Sequence, residues 1–163
     1  MNIWRVVKGL NLYQLYRLAI LAVQNPILVY PTIKVTRRTM LICDDMYGEA
    51  HHKNGKANAF RHALWNVLIC NAANKIHKNE QKAVLWAKKV TDLHEKLWPN
   101  APLPMAMDLH NNEIGRKYFL KCIKKPEKEV VTFLNEFAAN AKLVSDIREI
   151  QSHTDNLVYL DEI

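Results

Sequence analysis

The hydrophobic and polar positions of this chain follow the spacing of amphipathic helices. Apolar residues recur at three- and four-residue steps, and alternating β-branched residues are scarce. The pattern predicts a first helix over residues 3–24, ended by Asn25-Pro26 because proline disfavours helical geometry in the residue before it. A second helix is predicted to open at Pro31 and to reach residue 46.

Four further helices are predicted in the rest of the chain, separated by a loop over residues 47–56 and a proline-rich connection over residues 99–104. A final segment, residues 157–160, is predicted to be a short strand or an extended tail. The sequence therefore predicts an all-α fold, a single compact bundle of about six helices that forms one domain over residues 1–163. The four helices are predicted to start at Asn58 and Asn79 as N-caps, at Asp108 and at Pro126, and to end near residues 76, 97, 123 and 141.

Composition supports this class. The chain has 163 residues, of which 49% are hydrophobic and only four are glycine, so it is long and apolar enough to bury a core. Its three cysteines, Cys43, Cys70 and Cys122, are widely spaced and form no CxxC pair. We therefore expect free thiols, with neither a disulfide framework nor a cysteine-based zinc site.

The positive charge is concentrated at one end of the chain. Of the net charge of +7, residues 1–43 carry +6, because six basic residues and no acidic ones fall there. Three interpretations stay open for this segment: an ordinary packed helix, a contact with an anionic surface, or a targeting segment. It contains no apolar run of the roughly 20 residues that a membrane span needs and no clear cleavage site, so neither a transmembrane helix nor a signal peptide is predicted.

The third predicted helix carries polar residues where apolar ones are expected. Residues 56–65 read KANAFRHALW, and apolar side chains cover nearly every face of the helix that follows. His62 and Asn66 are four residues apart and share a face, with Arg61 beside them. Buried charge is costly unless it is paired or used. His62 is therefore either a functional histidine or a core histidine that is hydrogen-bonded to its neighbours.

The fourth and fifth helices repeat this anomaly. His94 borders the apolar stripe of the fourth helix, and Glu95 lies three residues after Asp92, on a face that could equally be solvated. On the fifth helix, polar residues and a glycine fall along one side at three- and four-residue steps. The glycine predicts that another element approaches closely at this position. Alternatively, the polar residues serve only as an N-cap and as hydrogen bonds between helices. These residues are Asp108, Asn111, Asn112 and Gly115.

The three helices together supply the parts of a hydrolytic site. His62 or His94 is the candidate general base, oriented by Asp108 or Glu95, with an arginine to bind an anionic group and asparagine amides to stabilise an oxyanion. A divalent metal held by His62, His94, His110 and carboxylates stays open, although the helical HExxH motif is absent. His51 and His52 are expected to be exposed in a loop. The candidate catalytic residues are His62, His94, Glu95 and Asp108, and the candidate binding or supporting residues are Arg61, Asn66, Asp92, Asn111, Asn112 and Arg116.

These motifs resemble a bacterial helical domain of unknown function. Residues 56–120 carry NAFRHALW, then His-Glu, then DLHNNEIGR, in the order in which that domain carries NAFRHAxW, HE and DLxNNxxGR. Domains of this kind occur in some polymorphic-toxin-type and cell-surface proteins. The resemblance implies a small helical module whose matched residues include those of all three motifs. It supplies no reaction.

The combined expectation is a small bacterial hydrolase, an interbacterial toxin or effector acting on an anionic target. Phospholipid is the first candidate substrate, because the basic charge accompanies an apolar N-terminal segment, and nucleic acid is the second. Residues 1–43 are expected to contact a membrane surface. The resemblance further implies synthesis in the bacterial cytoplasm, delivery to another cell, and an immunity or delivery protein as partner. The alternative is a non-catalytic binding or scaffold module in which the polar residues only hold helices together.

Overall fold

The computed structural model describes residues 9–123 and 125–161, and helices dominate both ranges. The predicted all-α class is confirmed. Residues 3–8 of the predicted first helix lie outside the described residues. The helices are α1 Leu12–Gln24, α2 Pro26–Tyr47, a 3-10 helix Gly48–His52, α3 Lys56–His77, α4 Glu80–Leu97, α5 Pro102–Cys122, α6 Glu127–Ala139 and α7 Ile147–Ser152.

The C-terminal segment contains the two strands of the described chain. β1 Lys142–Leu143 and β2 Val158–Tyr159 pair in parallel, with Lys142 opposite Val158. The segment predicted to be a strand or a tail therefore forms a short strand. With α7 it packs a small apolar group against the N-terminal half of α5, made up of Met107, Val144, Ile150, Val158 and Leu160.

Helix α3 is the centre of the fold. It packs against α2, α4, α5 and α6, and side chains on all its faces are buried, Phe60, Leu64 and Val67 among them. The same surroundings bury its polar residues, because no face is left to solvent. The continuous apolar pattern of residues 56–76 thus predicted a central helix correctly.

The predicted starts of α2 and α5 are wrong. α2 begins at Pro26 and continues through Pro31, which sits inside it. Proline lacks the N–H that would bond to the carbonyl four residues earlier, that of Ile27. Ile27 is 59% exposed, so water can reach this turn and the helix tolerates the missing bond. α5 begins at Pro102, in the predicted proline-rich connection, because proline suits the first helical turn.

The predicted N-caps have mixed outcomes. Asn79 caps α4, and its side-chain oxygen accepts a hydrogen bond of 2.8 Å from the backbone N–H of Lys82. Asn58 is wrong as a cap: Gly55 holds that position, and Asn58 lies buried within the first turn of α3. Its Nδ2 donates to the Lys53 carbonyl at 2.6 Å. Asp108 lies well inside α5 and therefore caps nothing.

Helix α1 lies on the body with little burial. It contains no fully buried residue, and Tyr13, Ile20 and Val23 are exposed, Val23 by 79%. Two hydrogen bonds join it to α4, from Gln14 Nε2 to the Leu97 carbonyl and from Lys89 Nζ to Gln24 Oε1, at 2.7 and 3.2 Å. Leu21 nevertheless packs against the main core, so the packed helix and the contact with an anionic surface both stay predictions for this segment.

No single described helix is long and apolar enough to cross a membrane. Only Leu12–Gln24 and Pro26–His52, taken together as a pair bent by 118°, meet that length and composition.

Candidate functional site

Polar side chains from three helices lie together in the interior of the protein. α3, α4 and α5 each contribute residues spaced about one turn apart, so that their side chains stack along the facing sides of the helices. All of them are buried except Arg61, which is half-buried. We call this group the polar cluster; it comprises Arg61, His62 and Asn66 of α3, Thr91 and Glu95 of α4, and Asp108, Asn112 and Arg116 of α5.

His62 lies between two carboxylates in this cluster. Its Nε2 is 3.2 Å from Asp108 Oδ1 and its Nδ1 is 3.8 Å from Glu95 Oε1. Nδ1 also lies 3.1 Å from Asn112 Oδ1, and Nε2 lies 2.9 Å from a terminal nitrogen of Arg61. Because arginine only donates, Nε2 must accept that bond, and the ring proton is on Nδ1. His62 is therefore a neutral imidazole whose lone pair faces Arg61 and Asp108.

A chain of hydrogen bonds fixes the orientation of the two amides. Arg116 donates to Asn66 Oδ1 at 3.0 Å, Asn66 Nδ2 donates to Asn112 Oδ1 at 2.7 Å, and Asn112 Nδ2 donates to Glu95 Oε1 at 3.0 Å. Thr91 accepts from Arg116 at 3.3 Å. Each donor points from the guanidinium toward the carboxylate, so the bonds reinforce one another. The chain holds Glu95 and Asn112 rigidly beside His62.

Burial shifts the pKa of every titratable member of the cluster toward its neutral form. Burial first, and then the charge of Arg61, lower the pKa of His62 well below its usual range. Burial raises the pKa of Glu95, although the bond from Asn112 works in the opposite direction. Burial and then the neighbouring Glu95 raise the pKa of Asp108 to about 7. A proton can therefore occupy Asp108 near neutral pH while His62 stays unprotonated.

The raised pKa of Asp108 predicts a pH-dependent stability that Asp108→Asn removes. The ordinary pKa is about 4, so between about pH 4 and 7 the folded protein holds a proton that the unfolded chain releases. The stabilisation is complete below pH 4 and is lost as the pH rises to 7. We expect the free energy of unfolding of the wild type, relative to Asp108→Asn, to fall by at most about 1.4 kcal/mol per pH unit in this window.

Urea unfolding of both proteins at several pH values measures this difference. Taking the difference cancels most of the opposite contribution from His62 and from His94, whose pKa burial lowers to about 4. A difference that stays constant from pH 4 to 7 contradicts the raised pKa of Asp108.

Arg61 and Asp108 each keep one unused polar atom in the cluster. Within the described chain, Arg61 Nε and Asp108 Oδ1 are buried without a hydrogen-bond partner. The 3.2 Å contact of Asp108 Oδ1 with His62 joins two acceptors unless Asp108 carries a proton. Buried polar atoms without partners are uncommon and costly, and they are frequent at functional sites. When Asp108 is ionised, a donor on Arg61 and an acceptor on Asp108 thus remain for a water molecule or a substrate.

A metal ion fits this site poorly. One donor atom each from His62, Glu95 and Asp108 lies within 4.8 Å of the others, a composition that divalent cations accept. However, the guanidinium of Arg61 occupies the lone pair of His62 Nε2. Its positive charge would repel a cation at that position. His110 lies apart, with Nε2 2.8 Å from the Asn156 carbonyl oxygen, so the open set of His62, His94 and His110 is not brought together.

His94 lies outside the hydrogen-bond network of the cluster, on the wall of an apolar cavity. The His94 ring packs between those of Trp65 and Trp98, with centroid distances of 5.1 and 5.0 Å. The cavity is about 490 Å3, and α1, α2, α3 and α4 line it. The cavity and the cluster share a boundary, because His94 precedes Glu95, and Trp65, which lines the cavity, lies one turn after Arg61. Sequence reasoning missed this cavity, since several separate helices build it.

Two predicted supporting residues lie outside the cluster. Asn111 faces the C-terminal segment, where its Nδ2 donates to the Val158 carbonyl at 2.8 Å and its Oδ1 accepts from the Val158 N–H at 2.9 Å. This paired bond docks β2 on α5. Asp92 lies near the surface and forms a salt bridge with Lys88. The solvated interpretation thus suits Asp92, whereas Glu95 is buried.

The prediction for His51 is wrong. His51 is fully buried, and its Nε2 lies 2.8 Å from Asp44 Oδ1, whereas His52 is exposed as predicted. Its burial follows from the 3-10 helix, which folds residues 48–52 back onto α2 and α3. The hydrophilic residues 47–56 have no apolar periodicity, so the sequence alone could not predict that contact.

One family model matches this chain. Its description is a domain of unknown function, DUF6973, and the match spans residues 19–142, well over half of the chain. The match includes all three motifs and every residue of the polar cluster. No curated protein and no solved structure matches the sequence.

Proposed function

The chain belongs to the DUF6973 family, a domain of unknown function, and on this premise we propose that it is a hydrolase that cleaves an ester of an anionic substrate at the polar cluster. The observation that carries the proposal is the neutral His62 beside two buried carboxylates, with unused polar atoms on Arg61 and Asp108. Groups whose environments drive their pKa values apart are the usual signature of paired acid and base roles.

Arg61 links substrate binding to the freeing of the base. In the free protein its guanidinium bonds His62 Nε2 at 2.9 Å and thereby blocks the lone pair that must accept a proton. An anionic group on the substrate attracts the guanidinium, with which it can form two parallel hydrogen bonds. Once Arg61 turns to the substrate, Nε2 is free. The base is then active only when an anionic substrate is bound.

The proposed reaction is the attack of water on the ester. His62 Nε2 takes a proton from water as the oxygen forms a bond to the ester carbonyl carbon. Asp108 and Glu95 stabilise the imidazolium, at the 3.2 and 3.8 Å separations given above. The tetrahedral intermediate then loses the alkoxide as the ester C–O bond breaks, and the imidazolium returns its proton to the alkoxide oxygen. The products are a carboxylic acid and an alcohol.

Phospholipid is the preferred substrate class, and nucleic acid is the second. An apolar cavity borders the cluster, and the chain carries exposed aromatic and aliphatic residues on α1 beside basic ones, features that suit a lipid surface. Exposed aromatic side chains beside basic ones also suit nucleic acid, so the apolar cavity is the feature that favours lipid. The toxin or effector role, delivery to another cell and the immunity partner stay predictions from the resemblance.

The alternative function is a non-catalytic binding or scaffold module. The hydrogen-bond chain from Arg116 to Glu95 favours it, because that chain connects α3, α4 and α5 and uses nearly all of its donors and acceptors internally. A structural network has this form. The unpaired atoms on Arg61 and Asp108 favour the hydrolase, since a purely structural network would satisfy them.

The test is product analysis with two targets offered in parallel. The protein is incubated with phosphatidylglycerol vesicles and with RNA, and the products are identified by mass spectrometry. We expect free fatty acid and lysophospholipid from the vesicles, no RNA fragments, and a rate reduced by about 100-fold or more in Asp108→Asn, since acid–base groups contribute about 100- to 10,000-fold.

The matched control is Asp45→Asn, which neutralises an exposed carboxylate on α2 outside the cluster. It is expected to keep the wild-type rate. RNA fragments in place of lipid products would reassign the substrate. No product from either target, with the chain folded, supports the scaffold module.

A further inference from the structure

We propose that the apolar cavity under α1 binds one fatty acyl chain of the substrate, with the ester group at the His94 and Arg61 end. The cavity site is inferred from its own geometry, whereas the identity of the acyl chain as part of a substrate depends on the proposed hydrolase function. The site lies outside the polar cluster and borders it on one side. A substrate that places an acyl chain in this cavity is an acyl ester rather than a nucleic acid.

The walls of the cavity offer almost no hydrogen bond to a ligand. Its two threonines are already engaged: Thr36 Oγ1 accepts from Trp65 Nε1 at 2.8 Å, and Thr32 Oγ1 accepts from Trp86 Nε1 at 2.9 Å. The remaining lining is apolar apart from His94. A cavity of this kind holds water poorly and favours an apolar occupant. Its volume of about 490 Å3 lies within the range of about 300–1,000 Å3 typical of small-molecule sites.

Helix α1 covers the cavity without filling it. Leu15, Leu18 and Ala22 face the space, yet no residue of α1 is fully buried. Two hydrogen bonds to α4 hold the helix in place, one near each end. Elements with few buried apolar contacts open at low free-energy cost, so α1 can move aside for a chain to enter.

The exposed face of α1 and its basic neighbours fit a lipid as the source of the chain. Tyr13 and Tyr16 are 60% and 63% exposed. Arg17, Lys89 and Lys96 line the adjacent groove between α1 and α4, together with Asp92. Apolar residues that contact a bilayer next to basic residues match an anionic phospholipid, whose phosphate lies close to its acyl esters. This charge complementarity favours a lipid over an uncharged apolar ligand.

The part of the cavity wall formed by His94 lies next to residues of the proposed reaction. His94 stands on the cavity wall, and Arg61, one turn before Trp65, has an unused Nε donor. Burial, and then the charge of Arg61, lower the pKa of His94 to about 4, so His94 is uncharged near neutral pH. A chain seated among the tryptophans thus brings its ester to the wall formed by Trp65 and His94, and Arg61 lies one turn of α3 before Trp65.

Tryptophan fluorescence tests the proposal without any turnover. Three of the four tryptophans of the chain, Trp65, Trp86 and Trp98, line the cavity. Stearic acid with bromine atoms at mid-chain is titrated into the full chain, with unbrominated stearic acid as the reference. Bromine quenches tryptophan only at contact, so we expect saturable quenching that excess unbrominated acid reverses.

Two substitutions on neighbouring residues of α1 locate the site. Ala22→Phe places a ring in the cavity and is expected to weaken binding by roughly tenfold or more, because the ring occupies space that the acyl chain would fill. Val23→Phe adds the same ring on the exposed face and is expected to leave binding unchanged. Circular dichroism confirms that both variants are folded.

The outcomes separate this proposal from the proposed function. Saturable quenching that Ala22→Phe weakens and Val23→Phe does not supports the acyl site, whether or not the protein hydrolyses lipid. Absent quenching, or equal quenching in both variants, overturns it, even if lipid hydrolysis is found. A cavity already filled by another part of the chain or by a second copy also gives no saturable quenching and overturns it.

Discussion

Replacing His62 with alanine is expected to reduce ester hydrolysis by about 100-fold or more, the range in which acid–base catalysis contributes. The variant removes the proposed base while Arg61, Glu95 and Asp108 remain. It also withdraws the hydrogen-bond partner of Arg61, and each buried group left unpaired costs about 1–3 kcal/mol. The rate is therefore measured at a temperature where circular dichroism shows the variant to be folded.

A matched variant and a rescue experiment separate catalysis from folding. His110→Ala removes a partly buried histidine of α5 that bonds the Asn156 carbonyl away from the cluster, and it is expected to keep the wild-type rate. Added imidazole is expected to restore part of the activity of His62→Ala, because the substitution leaves a space of that size. Full activity in folded His62→Ala rules out His62 as the base.

Replacing Gly115 with alanine is expected to destabilise the protein by about 2–3 kcal/mol, because it overpacks a helix contact. A Cβ at this position would lie 2.7 Å from the Ala63 carbonyl oxygen and 2.8 Å from its Cα, and both are backbone atoms that cannot move independently of α3. The α3 and α5 helices must separate to admit it. For a chain of this size, we expect the melting temperature to fall by roughly 5–10 °C.

The same separation should disturb the polar cluster. Gly115 lies beside Arg116 on α5, and Asn66 receives a bond of 3.0 Å from Arg116 across the contact. Activity is therefore expected to fall together with stability. Gly48→Ala is the control: Gly48 has a φ of 53° and a ψ of −134°, with no atom within 4 Å of the added Cβ, so about 1–3 kcal/mol of backbone strain is expected while the cluster is untouched and activity is kept. A wild-type melting temperature for Gly115→Ala contradicts the close contact.

The sequence predicted the helical elements well because their signals are local. The three- and four-residue spacing of apolar side chains identified the central helix α3, and Asn79 was recognised as an N-cap from its place before a periodic segment. Boundaries failed where a tertiary environment overrode local preference. Pro31 sits inside α2 because the affected turn faces water, and Asn58 is buried because Gly55 starts the helix one turn earlier.

The sequence predicted which residues form the candidate site better than it predicted what each of them contacts. Polar residues on an otherwise apolar helix signal burial, and this rule identified His62, Asn66, Asn112 and Arg116, which the structure brings together. It could not tell that Asn111, one residue away, faces β2 instead. Neighbouring positions on a helix differ by about 100° in direction, so the contact of each depends on which element packs on that side.

By itself, the sequence determined the helical class, the central position of α3 and the three motif segments that carry the polar cluster, because periodicity and the cost of buried polar groups act within a few residues. The tertiary structure alone decided which of those groups meet, since His62, Glu95 and Asp108 come from three different helices. It also decided that Asp108 holds a pKa near 7, because this depends on burial and on the charge of Glu95. The apolar cavity under α1 likewise arises because several helices do not pack tightly against one another. No pattern within one segment of the sequence predicts such a cavity.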